Sequence, residues 1–327
     1  MKDRRFWLRA AALALTAMPA AVAAHAQSGG GYPDKPVTVI SDAAAGATPD
    51  IDARFIAAAL STAWKQQVII VNHPGAFGSI AARAASDATP DGYTLFMPSL
   101  ASFIAGPGIA PNVPLMLPRD FLPIGFTAEN PMFIAVNPSL GVSTLPELIA
   151  LAKKQPGKIS IAATGTGRLT HLTGLVLQDR AGIQLLPVPY TAGPSVALGD
   201  VASGRVSMII EGYSGLVGSV KSGQVKLIAV ASPKRLPQFP DLPSVAETLP
   251  GFSATGWQVL LAPLGTPAPI VEKVSADLAK VVSADDFQQR LGSVGSYSRA
   301  MTPDETLAFV KKEQETWLPV VRKISAQ

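Results

Sequence analysis

The chain has 327 residues and no cysteine, and it carries 27 Lys and Arg against 23 Asp and Glu. The lack of cysteine excludes a disulfide framework and a lipid anchor on cysteine. Four basic residues and one acidic residue lie in the first 26 positions, so the rest of the chain has 23 against 22. A nearly neutral surface gives no electrostatic footprint for nucleic acid, and we expect no nucleic-acid partner.

The first 26 residues have the pattern of a cleaved secretory signal. Residues 2–9 carry four basic side chains, residues 10–18 are apolar, and Ala24-His25-Ala26 offers an A-x-A cleavage site. No stretch reaches the roughly 20 apolar residues of a spanning helix. We therefore expect export to the periplasm, cleavage near Ala26 and no membrane anchor. The Arg4-Arg5 pair leaves a twin-arginine route open beside the general one.

About 300 mature residues exceed the usual size of one hydrophobic core, so two lobes are expected. β-Branched runs alternate with helical patterns from the start, which is typical of a doubly wound α/β sheet. The first strands are predicted at 37–40, 67–71 and 93–97, with helices at 48–64 and 79–87 between them. Their following loops, at 42–48, 72–78 and 98–102, should share the rim where such sheets bind ligands.

The remaining elements define the predicted domain boundaries. Residues 107–123 are rich in proline and predict an irregular connection, whereas Thr144 and Glu147 predict a capping box that starts a helix. The further strands are expected at 133–136, 159–163, 185–188, 206–210, 225–230 and 257–262, and the further helices at 195–203, 214–222, 268–282, 284–291 and 303–324. We expect residues 27–130 plus 232–327 to form the first lobe and residues 131–231 the second.

The turn after the first strand indicates an anion-binding function. Thr48 is expected to be the N-cap of the following helix, with Pro49 in its first position and Asp50 in its first turn. A strand that enters a helix through a small-residue turn leaves backbone N–H groups unpaired, and these can receive an anion. An ordinary strand–helix connection is the alternative. The apolar face of this helix is predicted to be Ile51, Phe55, Ala58 and Ala59.

Residues 164–170 (TGTGRLT) repeat this pattern in the second half of the chain. Two such turns, one in each lobe, could hold a carboxylate-bearing ligand in a cleft between them. Arg168 is the only basic side chain in either turn, and it is a candidate for charge complementarity.

Enzymatic chemistry is not indicated. After the leader, His73 and His171 are the only histidines, and neither metal-ligand spacings nor a G-x-S-x-G motif occur. We expect no catalysis, no metal and no cofactor. Three side chains have alternatives that stay open: His171 contacts an anionic ligand or packs between the lobes, Tyr190 uses its hydroxyl on the ligand or packs beside Pro189, and Glu211 binds a cationic group or makes a structural pair.

A series of short motifs in a fixed order resembles one known family over the whole mature chain. They are Tyr32-Pro-Asp-Lys-Pro36, Ala44-Ala-Gly46 with Asp50, Asn72 with Pro74-Gly-Ala, Pro90-Asp-Gly-Tyr-Thr-Leu95, Gly165-Thr-Gly167 with His171-Leu172, Val188-Pro-Tyr190, Ala229-Val-Ala-Ser, Pro240-Asp-Leu-Pro-Ser244 with Glu247, Trp257, Ala262-Pro263 and Gly265-Thr-Pro267. The chain resembles the tripartite tricarboxylate transporter substrate-binding (Bug-type) proteins.

The resemblance implies a periplasmic-binding-protein fold of the second type, with two α/β lobes joined by two crossings. It implies that a monomer captures a small organic carboxylate and delivers it to membrane transporter subunits. The first loop would hold one carboxylate, braced by Asp50, and the Gly165-Thr166-Gly167 turn would be its counterpart. The candidate ligand-binding residues are Ala44, Ala45, Gly46, Ala47, Thr48, Asp50, Ser99, Gly165, Thr166, Gly167, His171, Tyr190 and Glu211.

Two residues depart from the family pattern. Asp42 stands where the family usually has proline, and Ala47 where it has a second glycine. Asp42 is expected to turn outward, or else to pair with an amine or amide of the ligand. Ala47 tolerates a positive φ less well than glycine, so the loop could differ in shape. A sensory role for the same fold, and an exported enzyme acting on carboxylates, are the rival functions.

Overall fold

The computed structural model describes residues 31–109, 115–165, 168–190 and 193–325. The predicted leader, Thr166 and Gly167 lie outside the described residues. The strands are β1 (Val37–Ser41), β2 (Val68–Asn72), β3 (Thr94–Met97), β4 (Phe121–Val136), β5 (Ser160–Ala163), β6 (Leu186–Pro189), β7 (Met208–Gly212), β8 (Lys226–Val230) and β9 (Thr255–Pro263). The helices are α1 (Thr48–Trp64), α2 (Ser79–Ser86), α3 (Leu100–Ile109), α4 (Leu145–Lys154), α5 (Leu169–Ala181), α6 (Pro194–Ala202), α7 (Tyr213–Lys221), α8 (Val245–Thr248), α9 (Ala268–Val282), α10 (Asp285–Gly292) and α11 (Pro303–Ser325).

The strands form one curled sheet with the order β2-β1-β3-β9-β4-β7-β5-β6, and β8 also pairs with β4. β1 runs parallel to β2 and β3, and β5 runs parallel to β6 and β7. β9 is antiparallel to both β3 and β4. The mixed α/β arrangement places the carboxyl ends of β1, β2 and β3 on one rim, as the sequence predicts.

The long strand β4 connects the two groups of parallel strands. Its first part pairs with β9 from Phe121 to Pro131, and its last five residues pair with β7. β8 pairs with the same last part. The partners of β4 therefore change between Pro131 and Met132.

The segment between β3 and the middle of β4 corrects two of the predictions. Part of the segment predicted to be irregular belongs to a strand, because β4 begins at Phe121 and contains Pro123 and Pro131. The ladder to β9 shifts register just after Pro123, and Pro131 pairs with the first residue of β9. A bulge and the end of a ladder tolerate proline, which lacks an N–H donor. α3 was also missed, since only a loop was expected after β3.

α1 occupies the predicted residues but buries a different face. Ala47 is the N-cap, with φ −72° and ψ 157°, and Thr48 is already helical and makes no cap hydrogen bond. The buried apolar residues are Ala53, Ile56, Ala57, Leu60 and Trp64. The predicted face is wrong, because Ala58 is exposed and Ile51, Phe55 and Ala59 are only half-buried. Phe55 packs under Arg290 of α10, with the guanidinium 4.6 Å from the ring centre.

The predicted capping box is confirmed. Thr144 and Glu147 form it at the start of α4. The largest core packs aromatic and aliphatic side chains of β3, α3, β4 and α11 together. Within it, the ring centres of Phe103 and Trp257 lie 5.2 Å apart. Among the described helices, none combines the length and apolar character needed to cross a membrane.

Candidate ligand-binding cavity

A cavity of about 590 Å³ opens at the rim of the sheet. The loops after β1, β2 and β3 border it on one side, and the ends of β5, β6 and β7 border it on the other. Of the predicted site residues, Ala44, Ala47, Thr48, Ser99, Gly165, Tyr190 and Glu211 line the cavity. Ala45, Gly46, Asp50 and His171 are not among the lining residues.

Asp50 braces the loop after β1, as the resemblance implies. Its buried carboxylate accepts hydrogen bonds from Gly46 N (2.9 Å), Arg54 Nε (3.0 Å) and Asn72 Nδ2 (2.8 Å). Burial alone would raise the pKa of Asp50, but the three hydrogen bonds outweigh it and the pKa lies below its ordinary value. Asn72 also donates to Ala43 O, so β2 and the loop are tied together.

These contacts change the list of donors that a ligand can use. The N–H of Gly46 is occupied by Asp50, and Ala47 N donates to Ala44 O at 3.1 Å. The N–H groups of Ala44, Ala45 and Thr48 have no acceptor among the described residues. Ala47 is accommodated without strain, because its φ of −72° is open to any residue. Glycine is needed instead at Gly46, where φ is +77°.

Asp42 is neither turned outward nor free for a ligand, which corrects the favoured expectation. Its side chain is 3% exposed and accepts from Ser99 N (3.1 Å), Ser99 Oγ (2.8 Å) and Ser102 Oγ. Ser99 precedes α3 and Ser102 lies in its first turn, so the carboxylate compensates the positive end of this helix. Asp42 thereby fixes the loop after β1 to the start of α3.

Arg168 contacts the first loop from the second turn. Its Nη2 donates to the carbonyl oxygen of Asp42 at 3.2 Å, and its side chain folds over Gly165. A Cβ at Gly165 would lie 2.7 Å from Arg168 Cδ, and φ there is +98°. A guanidinium has five N–H donors, and no carboxylate of the described residues lies within ion-pair distance of Arg168. Its guanidinium therefore brings a positive charge to the cavity that it lines.

Glu211 ends β7 at the cavity wall and is 5% exposed. Its Oε1 accepts from the N–H of Gly212 at 3.0 Å, and its Oε2 accepts from Thr164 Oγ1 at 3.5 Å. Burial raises the pKa of Glu211 to about 7, and the Gly212 N–H and the nearby Arg168 oppose the rise. The expected structural pair is absent among the described residues, because no Lys, Arg or His nitrogen lies within 4.0 Å of this carboxylate.

The two remaining candidates have other environments. The hydroxyl of Tyr190 donates to Asp200, and burial together with this hydrogen bond raises the pKa of Tyr190 to about 12. Its hydroxyl is thus committed elsewhere, although Tyr190 borders the cavity. His171 lies in the first turn of α5, half-buried, and burial lowers its pKa.

The sequence did not indicate several of the lining residues. Asn130 and Met132 come from β4, and Gly256 and Trp257 come from β9, in the middle of the sheet. Trp257 is held by its indole N–H, which donates to Glu313 Oε2 at 2.9 Å. A resemblance motif contains Trp257, and that was the only signal for it.

The loop after β2 forms a strained wall of the cavity. Residues 75–78 all have positive φ, with values of +43° at Ala76 and +54° at Phe77. Such angles are uncommon in residues other than glycine, and strain of this kind tends to occur where a loop is held for function. Phe77 lines the cavity from this loop.

Helix N-termini give the cavity a positive character. Thr48 and Pro49 begin α1, Leu169 and Thr170 begin α5, and Pro194 begins α6, and all of them line the cavity. The partial positive charge of each N-terminus favours an anion. Within the described part of the chain, no group of three His, Cys, Asp or Glu side chains could hold a metal ion.

Gly212 is required where the end of β7 meets the start of α1. A Cβ on Gly212 would lie 2.3 Å from Thr48 Oγ1 and 2.7 Å from both Thr48 Cβ and Cγ2. We expect Gly212→Ala to lower the free energy of unfolding by about 2 kcal/mol, because overpacking forces backbone shifts. Urea denaturation would measure this change in the free energy of unfolding.

Gly218→Ala is the matched control for Gly212→Ala. Gly218 lies on α7, the helix that follows Gly212, and a Cβ there meets no atom within 4 Å. We expect this variant to be as stable as the unmodified protein or slightly more stable. Equal stability of both variants would contradict the close contact between Gly212 and Thr48.

A family model described as "Tripartite tricarboxylate transporter family receptor" matches residues 52–326. The chain belongs to this family. It is a family of periplasmic solute-binding proteins, and the match confirms the resemblance that the sequence motifs carry.

Solved structures agree with this assignment. The periplasmic binding protein BugD has 32% identity to this chain and a TM-score of 0.80, with 89% of this chain and 98% of BugD covered. R. palustris Rpa4515, solved with adipate, has 28% identity and a TM-score of 0.84, with coverages of 89% and 97%. MatC from Rhodopseudomonas palustris, solved with bound malate, has 28% identity and a TM-score of 0.79, with coverages of 89% and 100%. The chain therefore has the expected periplasmic-binding-protein fold of the second type.

Proposed function

We propose that this protein is exported to the periplasm, captures a small organic carboxylate in the described cavity and delivers it to membrane subunits of a tripartite tricarboxylate-type transporter. The observation that carries the proposal is the convergence of the N-termini of α1, α5 and α6 on one cavity that also contains Arg168. Adipate and malate in two family-like structures are consistent with an anionic solute. The protein acts by binding rather than by catalysis.

The proposed binding mode uses backbone donors from both sides of the cavity. The unpaired N–H groups of Ala44 and Thr48 would face one carboxylate from the first side. From the second side the ligand would meet the guanidinium of Arg168 and the first N–H groups of α5, at Leu169 and Thr170. The N–H of Gly165 is already taken, because it donates to Ala163 O at 3.1 Å. Preorganised N–H groups lose little entropy on binding, which favours affinity without many side-chain contacts.

The change of partners along β4 supports the proposed lobe boundaries. Residues 27–130 plus 232–327 would form the first lobe, and residues 131–231 the second. The chain would cross between them near Pro131, where β4 leaves β9 for β7, and again after β8. Hinge motion at two crossings would open and close the cavity around the solute.

Binding and export can be tested on the full chain expressed with its own leader. Protein recovered from the periplasm should have the mass of a chain whose first residue is Gln27. A thermal-shift screen against mono-, di- and tricarboxylates, amino acids and nicotinate-like acids should give a saturable rise with at least one acid, because a ligand that binds only the folded state stabilises it by about 2.7 kcal/mol at 100 times Kd.

Arg168→Ala is expected to weaken the binding of the acid found in this screen at least tenfold, which corresponds to about 1.4 kcal/mol of binding free energy. Lys221→Ala, at the far end of α7, is the control and should bind normally. A chain that no organic acid stabilises, in any buffer of the screen, would overturn the proposed function.

A further inference from the structure

Two buried acidic side chains line the cavity, and their surroundings differ. Asp42 accepts hydrogen bonds from the backbone and hydroxyl of Ser99 and from Ser102. Glu211 accepts one good hydrogen bond, from Gly212 N–H, and a long one of 3.5 Å from Thr164. A carboxylate has about four acceptor positions, so Glu211 keeps acceptor capacity at the cavity wall.

Among the residues that the structure describes, no Lys, Arg or His nitrogen lies within ion-pair distance of Glu211. Arg168 is the charged group whose field acts on it, but within the described part of the chain its guanidinium donates to Asp42 O and not to Glu211. Thr164 and Gly212, which donate to it, are neutral. His171 on α5 carries a lowered pKa and is not a lining residue, and Tyr190 is held by Asp200. Burying an unpaired carboxylate is unfavourable unless a partner arrives from outside the chain.

The cavity therefore offers two kinds of polar group. Arg168 and the N-termini of α1 and α5 favour an anion, whereas Glu211 on β7 can accept from a hydrogen-bond donor or a cation. The two kinds lie side by side, because Gly212, next to Glu211, packs against Thr48 at the start of α1. A plain dicarboxylate would place its second anionic group in a cavity that already holds Glu211, whereas a solute that carries both a carboxylate and an N–H group matches both kinds.

We propose that Glu211 determines specificity by accepting a hydrogen bond from a nitrogen of the ligand, so that the preferred solutes are amino-carboxylates rather than plain carboxylates. This inference rests on the proposed function, because it requires that a carboxylate binds in the cavity. Glu211 is the only lining carboxylate of the described residues whose acceptor positions the protein leaves largely open.

Calorimetry with matched pairs of solutes tests the proposal. Each pair has one carbon skeleton with and without an amino group: aspartate and succinate, glutamate and glutarate, 2-aminoadipate and adipate, 4-aminobenzoate and benzoate. In at least one pair the amino member should bind at least tenfold more tightly. In the Glu211→Gln variant that preference should fall at least tenfold, whereas the affinity for the plain acid should change less than threefold. Glu272→Gln, an exposed residue of α9, is the control and should keep the preference.

The pH dependence of the unmodified protein gives a second measurement that needs no variant. Because burial raises the pKa of Glu211 to about 7, an amino-carboxylate that needs the ionised form should bind more weakly at pH 6 than at pH 8. A dicarboxylate that is bound better by the protonated form of Glu211 would instead bind more tightly at pH 6 than at pH 8.

Two results overturn the inference while leaving the proposed function intact. One is tighter binding of the plain acid in every pair that binds, with Glu211→Gln unchanged or improved. The other is affinity for the amino member that rises as the pH falls. If no member of any pair or of the wider screen binds, the proposed function itself fails, so the two failures are distinguishable.

Discussion

Replacing Asp42 by alanine is expected to lower the free energy of unfolding by about 3 kcal/mol. The substitution removes the acceptor of three donors, namely the N–H and hydroxyl of Ser99 and the hydroxyl of Ser102. Ser99 N–H is buried and precedes α3, so it would lose both a hydrogen bond and a favourable charge. Urea denaturation followed by circular dichroism would measure the change.

Two further variants separate the acceptor role of Asp42 from its charge. Asp42→Asn keeps one carbonyl oxygen and should lose only about 1 kcal/mol, since one good acceptor remains for Ser99 N–H. Ser102→Ala removes a single donor together with its need for a partner, and it should cost less than Asp42→Ala. If the alanine variant at Asp42 were within 0.5 kcal/mol (roughly the spread of neutral surface substitutions) of the unmodified protein, Asp42 would not be the link between the loop and α3.

Asp42 also shows why part of the site could not be predicted from the sequence. The turn after β1 and the bounds of α1 follow from local signals, because a β-branched run, a small-residue turn and Pro49 all act within a few residues. The direction of the Asp42 carboxylate depends instead on Ser99 and Ser102, which lie 57 and 60 positions further along the chain. No local pattern reports such a contact.

The donors of the first loop give a second example. Gly46 was expected to offer its N–H to a ligand, but Asp50 is only four residues away and takes it. The anion that occupies the N–H of Gly46 is the side chain of the protein itself. The N–H groups of Ala44, Ala45 and Thr48 are the ones in this loop that no described residue accepts.

The part of the cavity wall that β4 and β9 form depends on sheet order rather than on motifs. Asn130 and Trp257 reach the cavity because β9 inserts between β3 and β4. β9 follows β8 in the chain, and the sequence assigned it only to the first lobe. The position of an antiparallel strand between two groups of parallel strands is set by packing of distant segments, which one sequence does not show.

Asp52 is expected to make the stability of the protein depend on pH. It lies on the buried face of α1, where its Oδ2 accepts from Asn130 Nδ2 (2.7 Å) and Ser296 Oγ (3.1 Å). Its Oδ1 has no hydrogen-bond partner among the described residues. Burial raises the pKa of Asp52 from 3.8 to about 7, against the two hydrogen bonds that lower it.

The sign of the effect follows from proton binding. Between about pH 4 and pH 7 the folded state keeps the proton of Asp52 while the unfolded state has lost it, so unfolding releases a proton. The free energy of unfolding should therefore fall as the pH rises through this range and stay low above it. The total fall from Asp52 is on the order of 4 kcal/mol, and Glu211 acts in the same direction.

The Asp52→Asn variant should remove most of the pH dependence that Asp52 contributes to the free energy of unfolding. An asparagine can keep an oxygen for Asn130 and Ser296 and has no charge to bury, so the variant should be more stable than the unmodified protein by on the order of 2 kcal/mol at pH 8 and nearly equal to it at pH 5. Urea denaturation at both pH values measures this difference, with the exposed Asp286→Asn as control. A loss of stability at pH 8 would mean that the ionised carboxylate is well partnered in the folded protein, and burial would then not be the dominant influence on Asp52.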